Sequence, residues 1–173
     1  MIGQRRSEPD SEGAARWVLI ELGTQRLHLY QANRLLSSYL VSSGRNGVGE
    51  QMGSGCTPRG WHVIRARIGA NQPLGAVFVG RRPTGEIYSP ALANRYPGRD
   101  WILTRILWLS GLEQGFNRLG SVDSMRRFIY IHGAPANVPL GLPASKGCIR
   151  MGNADVVELF EAVSVRTRVL IER

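Results

Sequence analysis

Twenty-one glycines and nine prolines are distributed along the 173 residues of this chain, well above the usual combined share of about 12%. Glycine resists helix on entropic grounds, and proline removes a backbone donor. A chain punctuated this often is therefore expected to build short strands joined by turns, not a helical bundle. Arg16 to Leu22 and Gln25 to Tyr30 read as two strands joined at Gly23-Thr24, with Leu27 and Leu29 on one face and Arg26, His28 and Tyr30 on the other. Leu35 to Val41 is a third run, ending in the glycine-rich loop Ser43 to Gly60. Trp61 to Ile68, Ala76 to Val79, Trp101 to Leu109 and Phe128 to Ile131 continue the strand pattern. Between them, Arg81 to Arg99 reads as a turn-rich excursion and Ser110 to Arg127 as a loop.

One segment has helical periodicity. Val156, Leu159, Phe160 and Val163 fall at i, i+3, i+4 and i+7, Asn153 is in place to cap the start, and Asp155 suits the positive N-terminus. Arg168 to Ile171 follows as a last strand. The expected fold is mainly β, a β-sandwich covered by one helix. Residues 16–173 form the single domain, and the polar residues 1–15 form a flexible tail.

Charge narrows the function less than it first suggests. The formal net charge is +9, and of the 22 basic residues only Lys146 is a lysine. The arginines stand singly or in pairs, with no block of like charge and no aromatic-interleaved basic pattern, so no nucleic-acid partner is expected. No run approaches the roughly 18 apolar residues of a membrane span, and the opening residues lack a secretory apolar region. The expectation is a cytoplasmic protein, or a periplasmic one if a natural leader precedes this sequence. Two cysteines make no disulfide framework, and no Cys-x-x-Cys or His-x-x-x-His spacing points to a metal. Cys56, His28 and His62 read as packing or surface residues. Gly44 to Gly49 lacks the Gly-Lys-Ser/Thr ending of a phosphate loop.

The segment from His132 to Arg150 carries the chemistry. A nucleophilic cysteine needs a nearby base or cation and hydrogen-bond donors where an oxyanion develops. Cys148 follows a glycine, Lys146 adds charge, and His132 lies sixteen residues upstream at a strand end. The connecting loop is long enough to fold back. Gly133 permits unusual backbone geometry, and its carbonyl is in place to accept the His132 Nδ1 proton.

At these residues the chain resembles the catalytic domain of the L,D-transpeptidase family, marked by His-Gly, a loop, then Ser/Thr-x-Gly-Cys-hydrophobic-Arg. Here those positions are His132-Gly133 and Ser145-Lys146-Gly147-Cys148-Ile149-Arg150, with an upstream Thr57-Pro58-Arg59-Gly60-Trp61 segment of the family's kind. The resemblance implies a mainly β catalytic fold and no cofactor. It also implies a murein stem tetrapeptide substrate, cleaved between its diamino acid and terminal D-alanine through a thioester on Cys148. His132 is then the base, oriented by the Gly133 carbonyl. The N–H groups of Gly147 and Cys148 form the oxyanion hole; Arg150 either grips a substrate carboxylate or is satisfied by nearby carbonyls, Ser145 either bonds substrate or shapes the turn, and Lys146 brings charge to the substrate site. Lys146 departs from the family, which usually has histidine there. The expected acceptor is water, making an L,D-carboxypeptidase in murein recycling; the alternative is an amine acceptor, giving wall cross-links. A non-catalytic domain binding anionic polymer is the remaining alternative.

Overall fold

The computed structural model describes residues 15–173, so the expected tail lies almost wholly outside the described residues. The elements are β1 (Arg16–Glu21), β2 (Arg26–Gln31), β3 (Arg34–Ser42), β4 (Gly60–Ile68), β5 (Ala76–Val79), β6 (Arg82–Ile87), α1 (Pro90–Arg95), β7 (Ile102–Gly111), β8 (Tyr130–Gly133), β9 (Ile149–Met151), α2 (Asn153–Ala162) and β10 (Arg168–Glu172). Their order across the sheet is β4-β10-β1-β2-β3-β9-β8-β7-β5-β6. A further pairing of β4 with β7 closes the first eight strands on themselves. Closure removes free sheet edges there, leaving only the β5–β6 hairpin projecting beyond β7.

Side-chain alternation sets the register. Val18 opposes Leu29 and Ile20 opposes Leu27 across β1 and β2, and all four are buried. On the outer face of the same pair, Trp17 opposes Tyr30 with rings stacked at 4.8 Å, and Trp61 and Leu170 complete a small second cluster. The helix α2 buries Val156, Leu159 and Phe160 in the main core and packs on β7 and on β8, the strand that carries His132.

Several elements depart from the expectation. The excursion 81–99 contains β6 and α1. Ser89 caps α1 by accepting from the Leu92 N–H at 3.1 Å, and Pro90 occupies its first turn. This helix buries no residue, so it has no apolar stripe to be read. The cap of α2 is Gly152, not Asn153, whose Oδ1 instead accepts from Thr104 Oγ1 at 2.6 Å. Strand β8 starts at Tyr130, because Phe128 has φ +56 and is exposed.

His62 of β4 is a packing residue. It is fully buried, with Nδ1–H donating to the Gly60 carbonyl at 3.0 Å and Nε2 accepting from Ser124 Oγ at 2.9 Å. Burial lowers its pKa from 6.5 to about 4. The unfolded chain therefore takes up this proton before the folded one does, and stability falls as pH drops from about 6.5 towards 4. Denaturant melts at pH 7 and pH 4 are expected to show this loss, and His62→Gln is expected to show a smaller one.

Candidate active site

Strands β8 and β9 run parallel, with Ile131 opposite Ile149, His132 opposite Arg150 and Gly133 opposite Met151. Parallel neighbours require a crossover of a dozen or more residues, which residues 134–148 supply. One step before the ladder, Cys148 stands beside Tyr130 and is held there by the backbone. The Tyr130 N–H donates to Cys148 Sγ at 3.3 Å, and the thiol donates to the Phe128 carbonyl at 3.2 Å. Burial raises the Cys148 pKa from 9.0 to about 11, despite the Tyr130 N–H and the charges of Arg150 and Arg127. Near neutral pH the Cys148 thiol is therefore protonated.

His132 is two residues along β8 from Tyr130, and so projects from the same face. It is buried, and its Nδ1–H donates to the Gly133 carbonyl at 2.7 Å. That bond assigns the proton to Nδ1 and leaves the Nε2 lone pair for chemistry. Burial holds its pKa below the ordinary histidine value, so the ring is a neutral base. Gly133 is needed for close approach: a Cβ there would meet the Leu103 carbonyl at 2.7 Å and also Asn153 Oδ1.

The turn before Cys148 is tied from both sides. Ser145 Oγ donates to the Cys148 carbonyl at 2.5 Å and accepts from the Gly147 N–H at 3.1 Å. The Gly147 N–H, assigned to the oxyanion by the resemblance, is thus engaged within the turn in this structure. Buried Ser145 shapes that turn. Gly147 has φ +125, and a Cβ on it would lie 2.9 Å from the Cys56 carbonyl. Its own carbonyl accepts from Thr57 Oγ1 at 2.8 Å, and Thr57 in turn accepts from the Gly44 N–H.

Arg150 has its fork occupied, with Nη1 donating to the Ala144 carbonyl and Nη2 meeting Asp100, both at 3.3 Å. Lys146 is exposed. Cys56 is half-buried, with its thiol directed to the Asn46 carbonyl at 3.3 Å. His28 is half-buried, with Nε2 2.8 Å from Glu21 and Nδ1 2.6 Å from Ser38 Oγ. Asn117 serves structure, donating to the Arg59 and Trp61 carbonyls.

Three residues of this neighbourhood had no role assigned from the sequence. Tyr130 and Phe128 hold the sulfur through backbone atoms, which no side-chain pattern reveals. Arg127 donates to the carbonyls of Gly49, Glu50 and Cys56, binding the glycine-rich loop against the turn. No cluster of three or more metal-ligating side chains occurs among the described residues, and no helix there is long and apolar enough to cross a membrane.

The fold is mainly β, with His132-Gly133 on one strand and Gly147-Cys148 immediately before its parallel neighbour. The L,D-transpeptidase catalytic domain family matches residues 15–171, and the chain belongs to that family. A Bacillus subtilis relative carrying the L,D-transpeptidase name YkuD is 38% identical over 93 residues, covering 53% of this chain and 45% of its own. An Escherichia coli relative named as the L,D-transpeptidase YbiS is 51% identical over 43 residues, 25% of this chain and 14% of its own. The matched segments thus span less than half of these relatives.

Among solved structures, an L,D-transpeptidase of Xylanimonas cellulosilytica superposes with TM-score 0.54 at 21% identity, covering 97% of this chain and 65% of that one. L,D-transpeptidase 3 of Mycobacterium tuberculosis, solved with a faropenem-derived adduct, gives TM-score 0.56 at 15% identity, covering 93% and 61%. At these identities the structures establish the shared fold.

Two outcomes follow from the geometry. Gly147→Ala forces a side chain into a left-handed backbone and is expected to cost about 2 kcal/mol, roughly 5 °C in Tm for a domain of this size. A differential scanning calorimetry run checks it. Alkylation of Cys148 by iodoacetamide is expected to stay slow near pH 7 and to rise towards a midpoint near the raised thiol pKa of about 11. A rate already on its plateau at pH 7 would show a preformed thiolate.

Proposed function

We propose that this chain cleaves the bond between the diamino acid and the terminal D-alanine of a murein stem tetrapeptide, through a thioester on Cys148. The observation that carries the reading is that the parallel pairing of β8 and β9 brings the Cys148 thiol against the backbone of Tyr130, two residues from a His132 ring held in one tautomer by the Gly133 carbonyl. Neither group is charged at rest, so the proton moves only when substrate is in place. As Cys148 Sγ attacks the carbonyl carbon, its proton passes to His132 Nε2. The tetrahedral oxyanion faces the Cys148 N–H, since the Gly147 N–H serves the turn. Collapse expels D-alanine, whose nitrogen takes the proton from His132, and leaves the acyl group on sulfur.

A second nucleophile then attacks the thioester while His132 accepts its proton, and the thiol is restored. In this reading water is that nucleophile, the product is a tripeptide, and the enzyme works as an L,D-carboxypeptidase on recycled murein peptides in the cytoplasm. The transpeptidase names of the relatives favour the second reading, in which an amine of another stem peptide attacks and a cross-link forms. Ser145, Lys146 and Arg150 were the candidates for facing substrate, with Ser145 and Arg150 open to a structural role instead. The geometry supports Ser145 and Arg150 as residues that hold the loop around the nucleophile, while exposed Lys146 contributes charge at its rim.

Purified chain incubated with disaccharide-tetrapeptide is expected to yield tripeptide and free D-alanine by mass analysis. Peptide dimers as the main product would overturn the water reading and favour the amine one. Cys148→Ala is expected to fold and to release no D-alanine; release at the wild-type rate would refute both.

A further inference from the structure

Next to the nucleophile lies a basic and aromatic platform that the mechanism above does not use. Trp108 of β7 is in register with Tyr130 of β8, and their rings meet edge to face at 6.2 Å. Two guanidinium groups converge on the indole, Arg81 at 4.6 Å from the ring centre and Arg65 at 5.6 Å. Arg81 also lies 4.9 Å from the Phe128 ring and donates to Tyr130 Oη at 3.0 Å. This platform is continuous with the site. Tyr130 and Phe128 are the residues whose backbone holds Cys148 Sγ, and Trp108, Tyr130 and Cys148 pack in one cluster.

Arginine is an unfavourable choice for position 81. Gly80 and Arg81 form the two-residue turn between β5 and β6, with φ +54 and φ +65. Positive φ at both central residues marks the hairpin turn that glycine and asparagine fill without strain. Phe128, which faces Arg81, is also left-handed at φ +56. Two strained side chains in contact beside a nucleophile are not what the hairpin itself requires, since glycine at 81 would serve the turn better.

Charge is also left over. Arg59 pairs with Glu50, Arg99 with Glu86 and Arg150 with Asp100. Neither Arg81 nor Arg65 has an Asp or Glu partner among the described residues, and the hydrogen-bond partner of Arg81 is a neutral phenol. A guanidinium steadied through its ring faces keeps its in-plane N–H groups for a planar anion, and carboxylate is the bidentate match.

We propose that Arg81, steadied on Trp108, Phe128 and Tyr130 and flanked by Arg65, is a specificity-determining residue that binds a carboxylate of the peptide whose scissile carbonyl lies at Cys148. This rests on the stem-peptide reading, and the test separates the two. In the full chain carrying Cys148→Ala, which prevents turnover, calorimetric titration compares N-acetylated stem tetrapeptide with the same peptide bearing amidated carboxylates. Adding Arg81→Gly, which suits the turn, is expected to weaken binding of the acid about tenfold while leaving that of the amide unchanged. Equal weakening of both ligands, no weakening of either, or no binding of the acid would overturn the proposal. Arg81-dependent binding of the acid, with no D-alanine released by the unmutated chain, would uphold the proposal and refute the peptidase reading alone.

Discussion

Two strands that run the same way, Tyr130–Gly133 and Ile149–Met151, lie side by side with His132 in register with Arg150. Because the pairing is parallel, the fifteen residues between them must loop out and return to the same end of the sheet. The returning chain delivers Cys148 next to Tyr130. Everything around the site serves that delivery. Thr57 holds the Gly147 carbonyl, Ser145 closes the turn, and Arg127 binds the glycine-rich loop whose Cys56 carbonyl leaves no room for a side chain at Gly147. The sheet in turn has no free edge on this side, because β4 pairs with β7 and closes the strands on which β8 depends.

Electrostatics make this a site at rest. Burial raises the thiol pKa to about 11 and lowers that of His132, so each stays neutral near pH 7. An ion pair preformed there would carry a desolvation cost in the empty enzyme. In the proposed mechanism a neutral pair defers charge separation to the moment when substrate excludes water and its carbonyl accepts the developing negative charge. The Nδ1 bond to the Gly133 carbonyl matters for that reason, since it keeps the imidazole in the tautomer whose Nε2 is basic.

Much of this was legible before the structure. Alternating Leu27 and Leu29 marked a half-buried strand because sheet side chains alternate by necessity, and the stripe Val156, Leu159, Phe160 marked the covering helix for the analogous reason. Cys148 and His132 stood out by residue type and order. What stayed hidden has physical causes. The helix Pro90–Arg95 and the strand Arg82–Ile87 bury little, so they leave no apolar period. Gly133 was read as conformational freedom, whereas the structure uses it for close contact with Leu103 and Asn153. The holds on the sulfur come from the backbone of Phe128 and Tyr130, to which composition is blind. Arg81 was one of many scattered arginines until the hairpin placed it on Trp108.

The proposed function turns on one covalent event, the transfer of an acyl group from a stem tetrapeptide to Cys148. Rapid quenching of the full chain with tetrapeptide in acid, followed by intact-mass and peptide-mapping measurement, observes it directly. The predicted result is an adduct equal to the tetrapeptide less D-alanine, located on Cys148 and lost on standing at alkaline pH as thioesters are. D-alanine release without an adduct on the protein, or with the adduct on Cys56 or another residue, would contradict it.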